Sequence, residues 1–470
     1  MRRSRPRPRP EWLAIGIIAG LTAWRLAWLR WSDLELYVDE AQYWLWGQEL
    51  AAGAWSKPPM VGWLIRAANE AAGSDAAWVA RLPWPLVHGA AALAVMALAR
   101  RLAGPATGAL AGVIYATLPL VSAGSILIST DSPQMLALAL FLLAWARAPG
   151  LGGAALAGAA LSAGLWSKYA MLFPLPGLAL AGWIDRHWRR PPAEMLVAAG
   201  TALVLFAPNI LWNASHDFAT LRHTAQNADW QGALHLGHAA RFFVEQFAVA
   251  GPLTFMALLA GLMRRWPPGL RGLAAIAAAP LVIVVLQAVQ SEANANWAAG
   301  AYVPGAILMA AWLSPRPRLA VAAVAVNGAL ALGLPVIGTW AQDWERNGRP
   351  VLARYVGNRA AADAVIAAAH GAPLIVASDR AMLAALTWRA KGLALRVRAV
   401  PGPRGPVPSH YDLIYPLRTE AGPALWVGAV GSAPPCAQDR RLMTPGPGDL
   451  GSRPFETARL EGPCLTPLRR

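Results

Sequence analysis

Lysine is nearly missing from this chain. Three lysines stand among 41 basic residues in 470, and the remainder are arginine. Charge as a whole is scarce, at 14% of residues against about 25% in ordinary soluble domains, so a soluble globular enzyme is excluded. Acids are outnumbered, and the net charge of +16 invites a nucleic-acid reading. No basic stripe with interleaved aromatics lies outside the apolar blocks, which argues against that reading. No small-x-small cleavage site follows the basic start and the apolar stretch 12–29. The N-terminus therefore reads as an uncleaved signal anchor. There is no internal repeat of the kind many transporters show.

What is present is hydrophobic: 56% of residues, with a mean hydropathy of +0.38. The apolar residues gather in blocks of roughly 17–25, the length of a membrane-crossing helix. Eleven spans fit: 12–30, 80–99, 104–122, 131–147, 151–166, 169–185, 194–212, 240–262, 272–289, 297–313 and 318–338. Arginine clusters fall in one set of loops: Arg2 to Arg9, Arg100-Arg101, Arg147, Arg186 to Arg190, Arg264-Arg265, and Arg316 with Arg318. The alternate loops hold Asp39, Glu40, Asp131, His216-Asp217, Asp229 and Glu292. The positive-inside rule makes the first set cytoplasmic and the second exterior. The N-terminus is then cytoplasmic and the C-terminal region outside.

The expected fold class is an α-helical polytopic membrane protein with a small C-terminal α/β domain. Residues 1–339 form the membrane domain and include the first exterior loop, 31–79. Within that loop, 39–51 carries Tyr43, Trp44 and Trp46 among charges, a pattern that suits a helix lying in the membrane interface. Residues 340–470 lose the membrane pattern. They read as a strand at 373–377, a helix at 380–390, and strands near 394–400, 411–415 and 424–430. The two cysteines, Cys436 and Cys464, both lie in this tail. An oxidising exterior permits a disulfide between them; two unpaired cysteines in a poorly ordered tail is the other reading. The Pro- and Gly-rich stretch 431–470 is expected to be partly disordered.

The candidate chemistry lies on the outward side. Asp39 and Glu40 are adjacent, so their side chains diverge, and on a helix Asp39 shares a face with Tyr43. Acids at a membrane surface cost free energy unless paired or functional, although a helix N-terminus also favours them. Lys57 precedes Pro58-Pro59 and is held in extended backbone. A rigid ammonium there suits a phosphate oxygen, or simply snorkels to headgroups. Asp131 opens a span in Ser129-Thr130-Asp131-Ser132-Pro133, which is also a good helix start. Lys168 and Tyr169 lie between two short spans, so the turn sits slightly below the surface, in reach of a phosphate. Arg25 could add positive charge or anchor its helix end. His216-Asp217 reads as an acceptor-site pair; with no Cys, Glu or second His at ligand spacing, a dedicated zinc site is not expected. Asn296 begins a later span beside Trp297. A base beside several cations suits removal of a proton from an acceptor hydroxyl while charge develops on a departing phosphate.

These residues resemble a known family. Asp39-Glu40-Ala41-Gln42-Tyr43-Trp44, Lys57-Pro58-Pro59-Met60 with Gly62-Trp63-Leu64, Thr130-Asp131-Ser132-Pro133, Gly164-Leu165-Trp166-Ser167-Lys168-Tyr169, Pro208 to Asn213 with His216-Asp217, and Asn296-Trp297 look like the bacterial branch of the dolichyl-phosphate-mannose protein mannosyltransferases. Those are GT-C fold glycosyltransferases related to the aminoarabinose lipid A transferase. The resemblance covers about residues 10–340. It implies inverting transfer from a polyprenyl-phosphate sugar at the periplasmic face of the inner membrane, to lipid A, a glycan, another lipid or a protein. It implies Asp39 as base, Asp131 as the second-loop acid, and Lys57 and Lys168 as donor-phosphate contacts, with no obligatory metal or cofactor. Several relatives carry an acid or histidine before the double proline, where this chain has Ser56-Lys57. Two other functions compete: a lipid-linked sugar transporter or flippase, and a surface-polysaccharide polymerase or ligase. A large central outward loop would favour the latter, and the chain has none.

Overall fold

The structure, a computed structural model, describes residues 10–147, 149–226, 232–401, 409–420 and 422–468. Arg2 to Arg9 and Asp229 lie outside the described residues. Apolar blocks punctuated by proline give helices in the expected order. They begin with α1 (Pro10–Trp31), α2 (Val38–Gln48), α3 (Met60–Ala72), α4 (Ala77–Ala80), α5 (Pro83–Ala103), α6 (Pro105–Thr117) and α7 (Pro119–Gly124). Next come α8 (Asp131–Trp145), α9 (Leu151–Ser167), α10 (Pro174–Ile184), α11 (Pro192–Ser215) and α12 (Ala219–Gln226). The apolar region closes with α13 (Leu236–Ala250), α14 (Pro252–Met263), α15 (Leu270–Gln290), α16 (Tyr302–Leu313) and α17 (Pro317–Ile337). Proline opens many of them because the first-turn N–H is unpaired in any helix and proline lacks it.

Helix occupies each of the eleven expected apolar ranges. Among the described residues, five segments are each long and apolar enough to cross a bilayer: Pro10–Trp31, Ala77–Ala103, Pro192–Ser215, Leu270–Gln290 and Pro317–Trp340. Asp131–Trp145, Leu151–Ser167 and Tyr169–Ile184 are shorter apolar helices. The range 240–262 departs from the expected single rod. It is two helices, α13 and α14, bent by 114°. The bend sits at Gly251 (φ 87°), and Asn327 of α17 pins it, donating from Nδ2 to Ala250 O at 3.0 Å.

The chain forms two compact units. The first comprises residues 1–30, 57–61 and 81–335, and the second 31–56, 62–80 and 336–470. The first unit is a helical body with one large apolar core. Buried Leu98, Tyr115, Leu138, Phe255, Ile276 and Leu308 represent its successive helices.

The second unit changes the expected domain division, because most of the first exterior loop belongs with the C-terminal region. Long-range polar bonds are the reason: Arg359 N donates to Glu35 Oε2 at 2.8 Å, and Asn358 Nδ2 to Leu36 O at 3.3 Å. Residues 40–47 of α2 are buried, so protein covers the helix expected to lie on the membrane surface. Gly47 of α2 faces Gly62 of α3, and a β-carbon on either would strike the other helix's backbone, so the two pack closely.

The C-terminal region begins with a short hairpin, β1 (Glu345–Arg346) and β2 (Arg349–Pro350), followed by α18 (Asn358–Ala368). Then come β3 (Leu374–Ala377), α19 (Arg380–Arg389), β4 (Arg396–Ala399), α20 (His410–Ile414), β5 (Ala424–Ala429), β6 (Gln438–Met443) and β7 (Phe455–Leu460). The last five strands form one mixed sheet in the order β4-β3-β5-β7-β6. β3 runs parallel to β4 and β5, while β7 runs antiparallel to β5 and β6. The segment expected as a strand at 411–415 is helix α20, because Ser409 caps it by accepting from Asp412 N. Residues 431–470, expected to be partly disordered, supply β6 and β7. Pairing with β5 and a Cys436–Cys464 disulfide order them.

Candidate active site

In the first unit the polar loops meet at the start of α8. Ser129 fixes the turn, its Oγ accepting from Asp131 N at 3.1 Å and donating to Asp131 Oδ2 at 3.2 Å. Asp131 is buried, 4% exposed. Its Oδ1 takes Lys168 Nζ at 2.6 Å, and its Oδ2 takes Asn296 Nδ2 at 2.7 Å. Three separate elements thus supply one charged centre. Lys168 has extended backbone (φ −164°, ψ 134°), which ends α9 and turns the side chain out of the helical ladder. Asn296 comes from a 3-10 turn, Ala295–Ala301, that leads into α16. Lys57 lies within electrostatic range of both Asp131 and Lys168. One carboxylate therefore shares its surroundings with two ammonium groups, an arrangement that can bind a phosphate.

Beside it, Tyr169 OH donates to Asn209 Oδ1 at 2.8 Å and accepts from Asn213 Nδ2 at 3.2 Å. Asn209 and Asn213 are one turn apart on α11, so the pair grips the phenol from one face. Behind Asp131, buried His88 places Nε2 2.9 Å from Ser132 Oγ and Nδ1 3.3 Å from Tyr115 OH. Sequence reasoning missed His88. Its signal was a lone ionisable residue in the middle of an apolar span.

The second unit holds the other acids. Asp39 Oδ2 accepts from Tyr37 OH at 2.7 Å, and its Oδ1 pairs with Arg380 Nη2. Burial, and then the neighbouring Asp39 charge, push the Tyr37 hydroxyl above its ordinary range, so it serves Asp39 as a donor. Arg380 Nε donates to Gln42 Oε1 at 3.0 Å. Glu40 is fully buried and closes the N-terminal capping box of α2, its Oε2 accepting from Tyr37 N at 3.4 Å. Tyr43 is buried against Trp46, with ring centroids 4.8 Å apart.

The remaining candidates stand elsewhere. Arg25 is buried in α1, donating to Ala116 O at 2.7 Å and Ser122 Oγ at 3.1 Å, bonds that tie helices together. Pro58 is buried in the irregular stretch before α3. His216 and Asp217 form an exposed turn after α11, where His216 stacks on Trp212 at 4.1 Å and Asp217 has φ 53°. Among the described residues no three His, Cys, Asp or Glu side chains are grouped to hold a metal ion. Arg380 was not anticipated at all; it is one arginine among many, in a segment read only as a helix.

Comparison with known proteins adds the following. The sequence profile of the family described as dolichyl-phosphate-mannose-protein mannosyltransferase matches residues 56–212. The chain is 33% identical over 467 residues to a lipid A galacturonosyltransferase, RgtD, of Rhizobium johnstonii, covering 96% of this chain and 98% of that one. Among solved structures, ArnT from Cupriavidus metallidurans matches in the apo state with a TM-score of 0.67 at 14% identity. Its form bound to undecaprenyl phosphate matches at 0.68 and 15%. Each comparison covers 98% of this chain and 99% of ArnT. The archaeal oligosaccharyltransferase AglB from Archaeoglobus fulgidus, in complex with an inhibitory peptide and a dolichol-phosphate, matches at 0.51 and 12%, over 89% of this chain and 70% of that one. At these identities the solved structures speak for the fold alone.

Proposed function

The chain belongs to the dolichyl-phosphate-mannose protein mannosyltransferase-like family of GT-C glycosyltransferases, and from that premise we propose the reaction it carries out. It moves a sugar from a polyprenyl-phosphate donor to a hydroxyl of lipid A or a related envelope glycolipid. The observation that carries this reading is the near end-to-end match to a lipid A galacturonosyltransferase, which makes a uronic acid the first sugar to test. The protein is a multi-pass bacterial inner-membrane enzyme. The distribution of its arginines supports a cytoplasmic N-terminus and a periplasmic C-terminal region.

In the proposed reaction Asp39 accepts the proton of the acceptor hydroxyl. The acceptor oxygen bonds to the sugar's anomeric carbon from the face opposite the phosphate, inverting it. The bond from that carbon to the phosphate oxygen breaks, and polyprenyl phosphate leaves with the electron pair. Lys57 and Lys168 take up the charge that develops on the phosphate, which a preorganised cation stabilises without reorganisation. Asp131 orients Lys168, and Tyr169 borders the same lysine.

The test is transfer of radiolabelled uronic acid from polyprenyl phosphate to lipid A in proteoliposomes. Label in lipid A is the expected result. Label arriving only from a nucleotide sugar would sink the proposal. Asp39→Asn should lower turnover by about 10²–10⁴-fold, the range for a general base, in a protein that still inserts and elutes as one species. Near-normal turnover of that variant would remove Asp39 from its role.

A further inference from the structure

Arg380 is the first residue of α19, directly after its cap Asp379, whose Oδ1 accepts from Met382 N at 2.9 Å. A cation in the first turn opposes the helix dipole. A residue that breaks a local rule without local gain marks a functional demand. Here the guanidinium reaches out of its own helix to α2. It pairs with Asp39 Oδ1 and donates from Nε to Gln42 Oε1 at 3.0 Å. Asp39 and Gln42 are three residues apart on one face of α2, so one planar fork spans both.

The other end of α19 is tied to the same loop. Trp388 Nε1 donates to Asp75 O at 3.2 Å, and Lys391 Nζ, just past the helix, donates to Asp75 Oδ2 at 2.6 Å. Trp44 of α2 donates from Nε1 to the other oxygen of Asp75 at 2.9 Å. α19 therefore lies along α2 as a splint, with an arginine at the end that faces the acid. The Arg380–Asp39 pair is about one-third exposed on each side, so the carboxylate is held yet open to solvent.

We infer that Arg380, from the C-terminal region, is a positioning residue for glycosyl transfer. It fixes Asp39 Oδ1. Tyr37 fixes Oδ2, and the carboxylate so held takes the proton of the acceptor hydroxyl. This rests on the reading of Asp39 as the base. An arginine in this role acts on the proton-transfer step and leaves donor binding alone, so its removal lowers kcat and spares KM for the lipid donor.

The full-length protein in proteoliposomes provides the test. Arg380→Ala and Arg380→Gln should each lower kcat at least about tenfold, with donor KM within about twofold, and Arg380→Lys should recover a substantial part of the loss. Gln keeps the size and polarity of the site, so it carries the comparison if the alanine variant does not fold. Arg389→Ala is the control: Arg389 lies on the same helix and pairs with Asp363 at 2.8 Å, away from Asp39. It should keep normal kcat. A kcat within twofold of wild type for Arg380→Gln overturns the inference. So does an equal loss in Arg389→Ala, which would make the effect one of scaffold, and so does a change confined to donor KM. Asp39→Asn separates the two claims. If that variant is inactive while Arg380→Gln is fully active, only the positioning role falls. If it turns over normally, the base assignment falls first.

Discussion

Asp131 and Lys168 form a buried ion pair at 2.6 Å with Asn296 completing the carboxylate's bonds. Such a pair contributes little net stability, because desolvation offsets attraction, but breaking it by removing one partner costs about 3–5 kcal/mol. Lys168→Met should therefore lower the unfolding temperature in detergent and abolish transfer. The double variant Lys168→Met with Asp131→Leu should regain much of the lost stability and none of the activity. Equal stability loss in the single and double variants would show that the pair is not coupled. The two lysines of this unit stand out in the sequence because lysine is so rare here, and the structure pairs one of them, Lys168, with Asp131. Arg380 was illegible for the opposite reason, being one among many of its kind. Glu40 closes a capping box, a role that an acid in a first helical turn fills as readily as chemistry.

Among the elements, the corner between α13 and α14 shows what block length conceals. Residues 240–262 are apolar enough to read as one span, and the Gly251-Pro252 pair was the local sign of a break. Gly251 adopts φ 87°, and a β-carbon there would run into the Asn327 side-chain amide. That amide also donates to Thr254 Oγ1 at 3.0 Å, so it cannot retreat without losing bonds on both sides of the corner. Gly251→Ala should cost about 1–3 kcal/mol for the strained backbone alone, read as a lower unfolding temperature. A variant as stable as wild type would mean that the corner can be remade. The order of helices was legible because proline and glycine punctuate the apolar blocks. Helix α20 was not, since the run Tyr411-Asp412-Leu413-Ile414-Tyr415, rich in aromatic and aliphatic residues, fits a strand equally well and only the Ser409 cap decides.

For the whole molecule, the division into units was the least legible feature. Composition shifts near residue 340, which suggests a boundary there. Nothing in composition says that residues 31–56 and 62–80 belong with residues 336–470, because hydrogen bonds from individual residues join them. The final segment looked weak for the same reason: its prolines and glycines are visible, while its strand partners are remote in sequence. The Cys436–Cys464 disulfide closes a loop of 28 residues. Loop-closure entropy assigns it about 3–4 kcal/mol. Cys436→Ser should destabilise the second unit by that amount in oxidising buffer, and reductant should shift the wild type alike. An unfolding curve insensitive to both would show that the sheet holds without the bond.

The tie between Asp39 and Arg380 spans 341 positions of the chain. A ribosome releases the segment bearing Asp39 long before it has made the helix that receives it. During that interval the nascent polypeptide carries an incomplete acid loop alongside whatever helices have already been inserted. A message cut short before codon 380 would thus yield a protein that lacks the arginine's hold on Asp39 and transfers sugar at least about tenfold more slowly.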